Sequence, residues 1–339
     1  MSDLLDRHDF LLADLDGTLY RGAGAVPGAV EAVRGAAERG VRTVFVTNNA
    51  SRRPADVAAH LTELGFAAAT EDVVTSSQAA AAMLAEQLAP ASAVFVVGTD
   101  ALAAEITGVG LAVAPRGDDA AAVVQGHSPD TGWRNLAEAA VALRAGAVWV
   151  ACNLDPTLPT ERGPLPGNGS MVAALRLASG RAPQVAGKPA PALVNASVLR
   201  VGAQRPLMIG DRLDTDIEGG RIAGMPTLLV LTGVSDAAEL LAAPPQRRPD
   251  FVAADLGGLT QDPADLAPGP RPGWTADGGG GHWTLTGADR GDPVDALRTL
   301  CAAHWADGGG PIAVTAADGN AAEALEALGL SAASATVQS

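Results

Sequence analysis

Hydrophobic and polar positions in the first third of the chain follow the pattern of strands alternating with helices. A buried strand is predicted at 10–13, an amphipathic helix at about 28–39, a strand at 41–46, a helix at about 54–64 and a short strand at 73–74. Gly40 and Gly65 lie where helices commonly end. This strand–helix–strand order predicts an α/β fold with a parallel sheet.

The same pattern returns after a long insertion. It predicts a strand at 206–209, a helix at about 215–223 and a strand at 227–231. The insertion has its own strands at 93–97, 121–125 and 147–151, separated by helices near 100–105 and 133–145. We therefore expect a core domain formed by 1–77 and 186–262, with an inserted α/β cap at 78–185. Residues 153–170 are crowded with turn formers and are expected to form a long structured, functional loop.

The C-terminal part predicts a third, smaller α/β segment. Residues 260–273 are rich in Pro, Asp and Gly and are expected to be a linker. Strands at 282–286 and 312–315 and helices at 293–305 and 321–328 follow. A segment of this size, 274–339, is marginal as an independent domain, so we expect it to serve as an interface or scaffold.

Composition and charge limit the possible partners. The chain has 339 residues, 47% of them hydrophobic, and a net charge of −15 at pH 7. That charge argues against a broad nucleic-acid-binding surface. No apolar run is long enough to cross a bilayer, and the N-terminus has no secretion signal, so no membrane partner is expected. Two cysteines are too few for a disulfide framework. These features predict a cytoplasmic protein, in which a homodimer is left open as an alternative to a monomer.

Asp14 and Asp16 are the first candidates for chemistry. They directly follow the apolar strand at 10–13 and precede Gly17 and Thr18. Two carboxylates this close repel each other unless a cation or a proton lies between them. The ligands of open α/β sheets bind at the carboxyl ends of the strands, where both acids are expected. The alternative is a pair of solvated acids that ends a strand.

Later strand and loop ends carry further polar candidates. The strand at 41–46 is followed by a hydroxyl with two backbone amides beside it, and later strand and loop ends carry an ammonium and acids. The residues are Thr47, Asn48, Asn49, Lys188, Asp211 and Asp216. Carboxylates suit a hard divalent cation, and a hydroxyl with an ammonium suits phosphate oxygens. Taken singly, Thr47 could cap a helix, Lys188 could be a surface lysine and Asp211 could be a turn acid. Their joint order indicates phosphoryl transfer.

With these residues the chain resembles the haloacid-dehalogenase (HAD) superfamily. Asp14-x-Asp16-Gly-Thr-Leu is similar to its first motif, Thr47 to its second, Lys188 to its third, and Gly210-Asp211-x-x-x-Thr215-Asp216 to its fourth. The Val46–Asn49 sequence, the long insertion and Gly187–Lys188–Pro189 resemble the nitrophenylphosphatase-like (NagD-type) branch. The resemblance covers about 8–260 and implies a Rossmann-like core with a mobile cap. The outline of the C-terminal segment also resembles part of an acetyltransferase-like (GNAT) domain, which leaves acyl-CoA binding as the alternative to an interface or scaffold role.

The resemblance implies a role for each candidate. Asp14 would be the nucleophile that forms an aspartyl-phosphate, and Asp16 the general acid and base. Mg²⁺ would be held by Asp14, the backbone carbonyl of Asp16 and Asp211, with Asp216 orienting a water ligand. The phosphate-binding residues would be Thr47, Asn48, Asn49 and Lys188. In the cap, Asn153–Leu154–Asp155 stands where the family has Asn-Pro-Asp, so Asn153, Asp155 and Gly169 are expected to contact substrate.

The expected reaction is Mg²⁺-dependent hydrolysis of a small-molecule phosphomonoester. The predicted cap loop offers Leu, Pro, Gly, Thr and Asn but no aromatic platform for a flat ring. This favours glycerol 3-phosphate, with 2-phosphoglycolate, nucleoside monophosphates and pyridoxal phosphate as alternatives. A non-catalytic phosphate-ester sensor and a phosphomutase are different-class alternatives, and the intact Asp14, Asp16 and Asp211 disfavour the sensor.

Overall fold

The computed structural model describes residues 2–160, 162–288 and 291–330. Its strands are β1 Phe10–Ala13, β2 Tyr20–Arg21, β3 Gly24–Ala25, β4 Arg42–Thr47, β5 Val73–Thr75, β6 Ala93–Val97, β7 Ala112–Val113, β8 Ala122–Gln125, β9 Val148–Ala151, β10 Thr157–Thr160, β11 Gly163–Pro166, β12 Gln184–Val185, β13 Pro206–Gly210, β14 Thr227–Val230, β15 Phe251–Ala253, β16 Trp274–Gly279, β17 His282–Gly287 and β18 Ala313–Ala316. Its α-helices are α1 Ala29–Glu38, α2 Pro54–Glu63, α3 Ser76–Gln87, α4 Asp100–Gly108, α5 Trp133–Arg144, α6 Asn168–Ser179, α7 Pro191–Val201, α8 Glu218–Ile222, α9 Ala237–Leu241, α10 Pro263–Leu266, α11 Pro293–Ala306 and α12 Gly319–Ala327.

The chain forms two compact units. One unit comprises Met1–Thr43 with Ala203–Ser339, and the other comprises Val44–Gly202. The boundary between them falls inside β4. The three segments expected from the sequence, 1–77 with 186–262, 78–185 and 274–339, stay a prediction.

The first unit contains a parallel sheet with the strand order β15-β14-β13-β1. In its register, Leu12 of β1 lies beside Met208 of β13, and Leu229 of β14 lies beside Val252 of β15. All four of these side chains are fully buried. Continuous apolar strands of this kind are typical of parallel sheets that are covered on both faces. The α/β fold class is confirmed, and the register brings the carboxyl ends of β1 and β13 side by side.

The C-terminal segment packs into the same unit. Strands β16 and β17 form an antiparallel pair, and β18 lies parallel to β17. Trp283, Leu297 and Leu325 of this segment belong to one buried apolar cluster together with Leu213 and Ile217 of the core. The buried guanidinium of Arg298 donates from Nε to the Val252 carbonyl of β15 (3.0 Å). The C-terminal segment therefore completes the hydrophobic core of the first unit.

The second unit contains two sets of parallel strands. Strand β4 pairs with β5, and a separate five-stranded parallel sheet has the order β12-β9-β8-β6-β7. Val97, Val123, Leu143 and Trp149 form part of the buried cluster against this second sheet. The sheet lies within the segment predicted to be the cap. In the part of the chain that the structure describes, no helix combines the length and the apolar character that a membrane crossing needs.

Three segments differ from the sequence-based expectation. Residues 153–170, expected to be a loop, contain the antiparallel hairpin of β10 and β11 and the first turn of α6. The expected linker 260–273 contains α10, whose Leu266 is fully buried. The helix expected at 215–223 begins with a π-helical turn at Leu213–Ile217. Turn-forming residues are common in the first two of these segments, which disfavours the prediction of regular structure there.

Candidate active site

Three carboxylates converge at the carboxyl ends of β1 and β13. One carboxylate oxygen each from Asp14, Asp211 and Asp216 lies within 4.8 Å of the others. The backbone N–H of Asp14 donates to the Ile209 carbonyl (2.9 Å), which continues the ladder of β1 and β13 to the site. Asp211 and Asp216 are almost completely buried, and Asp14 is partly buried. Oxygen ligands clustered in this way fit a hard divalent cation, which also relieves their mutual repulsion.

Asp211 is held by the loop that follows β14. Its Oδ2 accepts a hydrogen bond from the backbone N–H of Val234 (2.7 Å), and its Oδ1 accepts one from the Thr18 hydroxyl (3.3 Å). A Cβ atom at Gly17 would lie 2.3 Å from Asp211 Oδ2, and one at Gly233 would lie 1.9 Å from it. The carboxylate therefore sits in a space that two glycines keep open.

Asp216 is oriented by the π-helical turn Leu213–Ile217. Its Oδ2 accepts a hydrogen bond from the Arg212 backbone N–H (3.1 Å). A Cβ atom at Gly210 would lie 2.2 Å from the Asp216 Cβ. The Leu213 N–H donates to the Ser235 hydroxyl (3.0 Å), which connects this turn to the loop that also holds Asp211. Asp216 therefore lies within the same 4.8 Å group of carboxylate oxygens as Asp14 and Asp211, which are predicted to bind the metal directly.

The side chain of Asp16 lies outside this group of three acids. Asp16 is exposed and forms an isolated β-bridge with Tyr20. The turn after it is fixed by a hydrogen bond from the Gly17 N–H to the Tyr20 carbonyl (2.8 Å) and by one from the Thr232 hydroxyl to the Gly17 carbonyl (2.7 Å). An exposed carboxylate next to the cluster in sequence is suited to proton exchange with a substrate or with water.

The second unit carries the residues predicted to bind phosphate. Thr47 ends β4 and is buried, and its hydroxyl accepts from the Asn49 backbone N–H (3.1 Å). Lys188 is only 2% exposed, and its Nζ donates to the Val46 carbonyl (3.2 Å). The Asn48 side chain bonds to the Lys188 backbone through both of its polar atoms. Sequence positions 47–49 and 188 therefore meet at one place in this unit.

The three predicted cap residues are packed together. Asn153 is buried and donates from its side chain to the Asn48 carbonyl (2.7 Å). The Gly169 N–H donates to the Asp155 carbonyl (2.9 Å), and a Cβ atom at Gly169 would lie 2.1 Å from the Leu154 carbonyl oxygen. The side chain of Asn168 at the start of α6 donates to the Asn153 carbonyl (2.8 Å). These contacts fix the backbone of 153–155, and substrate contact by these residues stays a prediction.

Sequence reasoning missed several residues that shape the acidic cluster. They support it from the loops that follow β1 and β14: Thr18, Thr232, Gly233, Val234 and Ser235. A signal was present, because the strand at 227–231 is also followed by a hydroxyl residue and a glycine.

Family models match three parts of the chain. A model described as haloacid dehalogenase-like hydrolase matches residues 11–112. A HAD-hydrolase-like model matches 185–259, and a GCN5-related N-acetyltransferase like domain model matches 271–330. The first two matches include the positions of Asp14, Thr47, Lys188, Asp211 and Asp216.

Curated relatives and solved structures extend the similarity. The D-glycerol 3-phosphate phosphatase of Mycobacterium tuberculosis is 56% identical over 286 residues, which cover 84% of this chain and 80% of that protein. The 5'-nucleotidase YutF of Bacillus subtilis is 41% identical over 226 residues, 66% of this chain and 87% of that protein. The crystal structure of a glycerol phosphate phosphatase from Mycobacterium tuberculosis in complex with magnesium aligns with a TM-score of 0.91 at 52% identity, covering 97% of this chain and 99% of that one.

Proposed function

This chain belongs to the haloacid dehalogenase-like hydrolase family and is a Mg²⁺-dependent phosphomonoester hydrolase, and we propose that it hydrolyses glycerol 3-phosphate. The structural observation that supports metal-dependent hydrolysis is the convergence of the Asp14, Asp211 and Asp216 carboxylates. The substrate is supported by the relative that is named for it and is 56% identical.

Asp14 is the proposed nucleophile. Its carboxylate would attack phosphorus in line with the departing alkoxide, forming an aspartyl-phosphate that water then hydrolyses. Asp16 would donate a proton to the leaving oxygen and later accept one from the attacking water. The exposure of Asp16 suits this exchange of protons.

Two carboxylates and one backbone carbonyl would hold the cation. The proposed ligands are Asp14, Asp211 and the backbone carbonyl of Asp16, and Asp216, which lies close to both carboxylates, would orient a water ligand. When bound, Mg²⁺ supplies charge that offsets the negative charge of the phosphoryl group. The Val234 N–H and the Thr18 hydroxyl keep the Asp211 carboxylate oriented for this role.

The proposed phosphate-binding groups are the Thr47 hydroxyl, the Lys188 ammonium and the backbone N–H groups of Asn48 and Asn49. A hydroxyl, a backbone N–H and an ammonium all stabilise the negative oxygens of the transferred group. Lys188 is buried, and a charge interacts more strongly in a buried environment than in bulk water. Its charge would also reduce repulsion between the Asp14 carboxylate and its anionic target.

We further propose a cytoplasmic location. Cys152 and Cys301 are both free and buried, and reduced cysteines are usual in the cytosol. Burial raises the pKa of the Cys152 thiol to about 12, so this thiol stays protonated and unreactive. A homodimer stays a prediction.

The test is release of inorganic phosphate from a panel that contains glycerol 3-phosphate, 2-phosphoglycolate, nucleoside monophosphates and pyridoxal phosphate. We expect the highest kcat/KM for glycerol 3-phosphate and loss of activity when EDTA removes Mg²⁺. Asp14→Asn should lower kcat by about a thousandfold or more, while Asp130→Asn at an exposed site should keep it. A preference for a nucleoside monophosphate would instead assign the activity named for the Bacillus subtilis relative.

A further inference from the structure

The carboxamide of Asn48 is fully engaged by other parts of the second unit. Its Oδ1 accepts from the Lys188 backbone N–H (2.8 Å), and its Nδ2 donates to the Lys188 carbonyl (3.0 Å). The same Nδ2 lies 3.4 Å from Oδ2 of Asp155. An asparagine amide has two N–H donors, and two acceptors, the Lys188 carbonyl and the Asp155 carboxylate, lie within hydrogen-bond distance of its nitrogen. The side chain therefore has no donor left for a phosphate oxygen.

The close approach of Asn48 to the lysine loop requires a glycine. A Cβ atom at Gly187 would lie 2.5 Å from Asn48 Oδ1 and 2.5 Å from the Cys152 carbonyl oxygen. At the other end of the lysine side chain, Nζ bonds to the Val46 carbonyl (3.2 Å). Lys188 is thus fixed at its backbone by Asn48 and at its ammonium by the strand that leads to Asn48.

The backbone of Asn48 connects two further segments. Its carbonyl accepts from the Ser76 hydroxyl (2.6 Å) and from Asn153 Nδ2 (2.7 Å). Asn153 in turn accepts from the Asp155 backbone N–H (3.2 Å). Contacts with Asn48 therefore link four segments: the end of β4, the start of α3, the lysine loop and the 153–155 segment.

We propose that the side chain of Asn48 positions Lys188 and couples it to Asp155, a role that adds to the phosphate-binding role expected for the Asn48 backbone N–H. This inference rests on the proposed function, in which Lys188 binds the oxygens of the transferred phosphoryl group. A catalytic group that shifts by about 1 Å can lower the rate by roughly a hundredfold. The Asn48 side chain would act through this placement and without touching substrate.

Asn48→Asp is the sharpest variant. The new carboxylate can still accept from the Lys188 N–H, but it loses both donors and places negative charge opposite the Lys188 carbonyl and Asp155. We expect kcat/KM for glycerol 3-phosphate to fall by about 10- to 100-fold, mainly in kcat. Asn195→Asp, at an exposed position of α7, is the matched control and should stay at the wild-type value.

Asp155→Asn supplies the compensating change. In the double variant, the new amide can donate to the carboxylate at position 48, and the repulsion between two acids is removed. We expect kcat/KM of the double variant to be about tenfold higher than that of Asn48→Asp alone. The coupling would be overturned if the fold-losses in kcat/KM of the two single variants multiply in the double variant. It would also be overturned if Asn48→Asp had wild-type kinetics.

Hydrogen exchange at the Lys188 amide separates this inference from the proposed function. Asn48→Ala removes the acceptor and should speed that exchange, while Asn48→Asp keeps the acceptor and should leave the amide protected. A residue that only binds phosphate would leave exchange unchanged in both variants, which would contradict the positioning role. If the wild-type protein releases no phosphate from glycerol 3-phosphate, the proposed substrate fails while the exchange result still decides the role of Asn48.

Discussion

At the scale of single residues, the position of Asp211 depends on two glycines far apart in sequence. Gly17 follows the first pair of acids, Gly233 follows β14, and both leave room for the same carboxylate oxygen. Gly17 also has a φ of +86°, a conformation that other residues rarely adopt. The orientation of this carboxylate, a proposed metal ligand, is thus set by the absence of side chains at two distant positions.

Gly233→Ala tests this arrangement. The added Cβ would lie 1.9 Å from Asp211 Oδ2, so the carboxylate or the loop has to move. Overpacking of this kind costs about 1–3 kcal/mol, so the Mg²⁺ concentration for half-maximal phosphatase activity should rise about tenfold or more. The measurement is a Mg²⁺ titration of phosphate release.

Gly35→Ala is the control, because nothing lies within 4 Å of a Cβ atom at this position of α1. Its Mg²⁺ requirement should match that of the wild-type protein. The explanation of the glycines would be wrong if Gly233→Ala also kept that requirement.

Sequence reasoning was effective for local motifs and weak for long-range contacts. Asp14, Lys188 and Asp211 are predictable from the sequence because each follows a recognisable strand or glycine. The bond between Thr18 and Asp211 joins residues 193 positions apart, and the bonds between Asn48 and Lys188 join residues 140 positions apart. One sequence contains no direct signal for such pairs, so the groups that hold the acids and the lysine emerged only from the structure.

At the scale of secondary-structure elements, Asp318 connects the end of β17 to the start of α12. Its carboxylate accepts from the Ala321 N–H at the first turn of the helix (2.9 Å) and from the Gly287 N–H of the strand (2.8 Å). Both hydrogen bonds lower the pKa of Asp318 below its ordinary value of 3.8, and the one from Ala321 has the larger effect. One carboxylate therefore serves both as a helix cap and as a link between strand and helix.

Asp318→Asn should change how stability depends on pH. The folded state lowers the pKa of this acid, so its stabilising contribution is present above pH 3.8 and is lost as the pH falls through the folded-state pKa. The amide keeps an acceptor oxygen but has no charge to lose. We expect the variant to be less stable than wild type near neutral pH and the difference to shrink in acid.

Urea unfolding at neutral pH and below pH 3.8 would measure this difference. Asp277→Asn in β16 is the control at an exposed position and should show no comparable change. A constant difference across the pH range would contradict the linkage.

The elements that sequence reasoning missed lack contrast between polar and apolar positions. Helix α3 is rich in alanine, including the buried Ala79, Ala80 and Ala81, and gives no amphipathic pattern. Its start carried a signal, since Thr75 and Gln78 form a capping box. The hairpin of β10 and β11 was hidden because proline and glycine are common in it.

At the scale of the whole molecule, the C-terminal segment is part of the unit that bears the acids. Leu213 and Ile217, on either side of Asp214 and Asp216, pack in the same buried cluster as Trp283 and Leu297. The Trp305 indole N–H also donates to the Leu241 carbonyl at the end of α9 (3.1 Å). The expectation of a scaffold role is consistent with these contacts, although one sequence could not show which surface the segment covers.

Leu297→Ala tests whether this unit unfolds as one structure. Leu297 is fully buried in the shared cluster, so its truncation should cost about 2–5 kcal/mol. The thermal midpoint should fall by the same amount whether it is followed by tryptophan fluorescence or by loss of phosphatase activity.

Leu177→Ala, at a position of α6 that is 90% exposed, should leave both midpoints unchanged. Two separate transitions in Leu297→Ala, with activity surviving the first, would show that the C-terminal segment unfolds independently.

The bond between Arg298 and Val252 has a consequence for solubility. Strand β15 lies at one border of its sheet. Its Ala253 carbonyl accepts a hydrogen bond from the N–H of Leu231, the residue directly after β14, while the neighbouring Val252 carbonyl accepts from Arg298. An open sheet border is a template onto which a strand of another molecule can add. Because the Arg298 guanidinium occupies the Val252 carbonyl at that border, we expect the C-terminal segment to protect the phosphatase against intermolecular sheet growth. A shortened enzyme without it would be prone to aggregation.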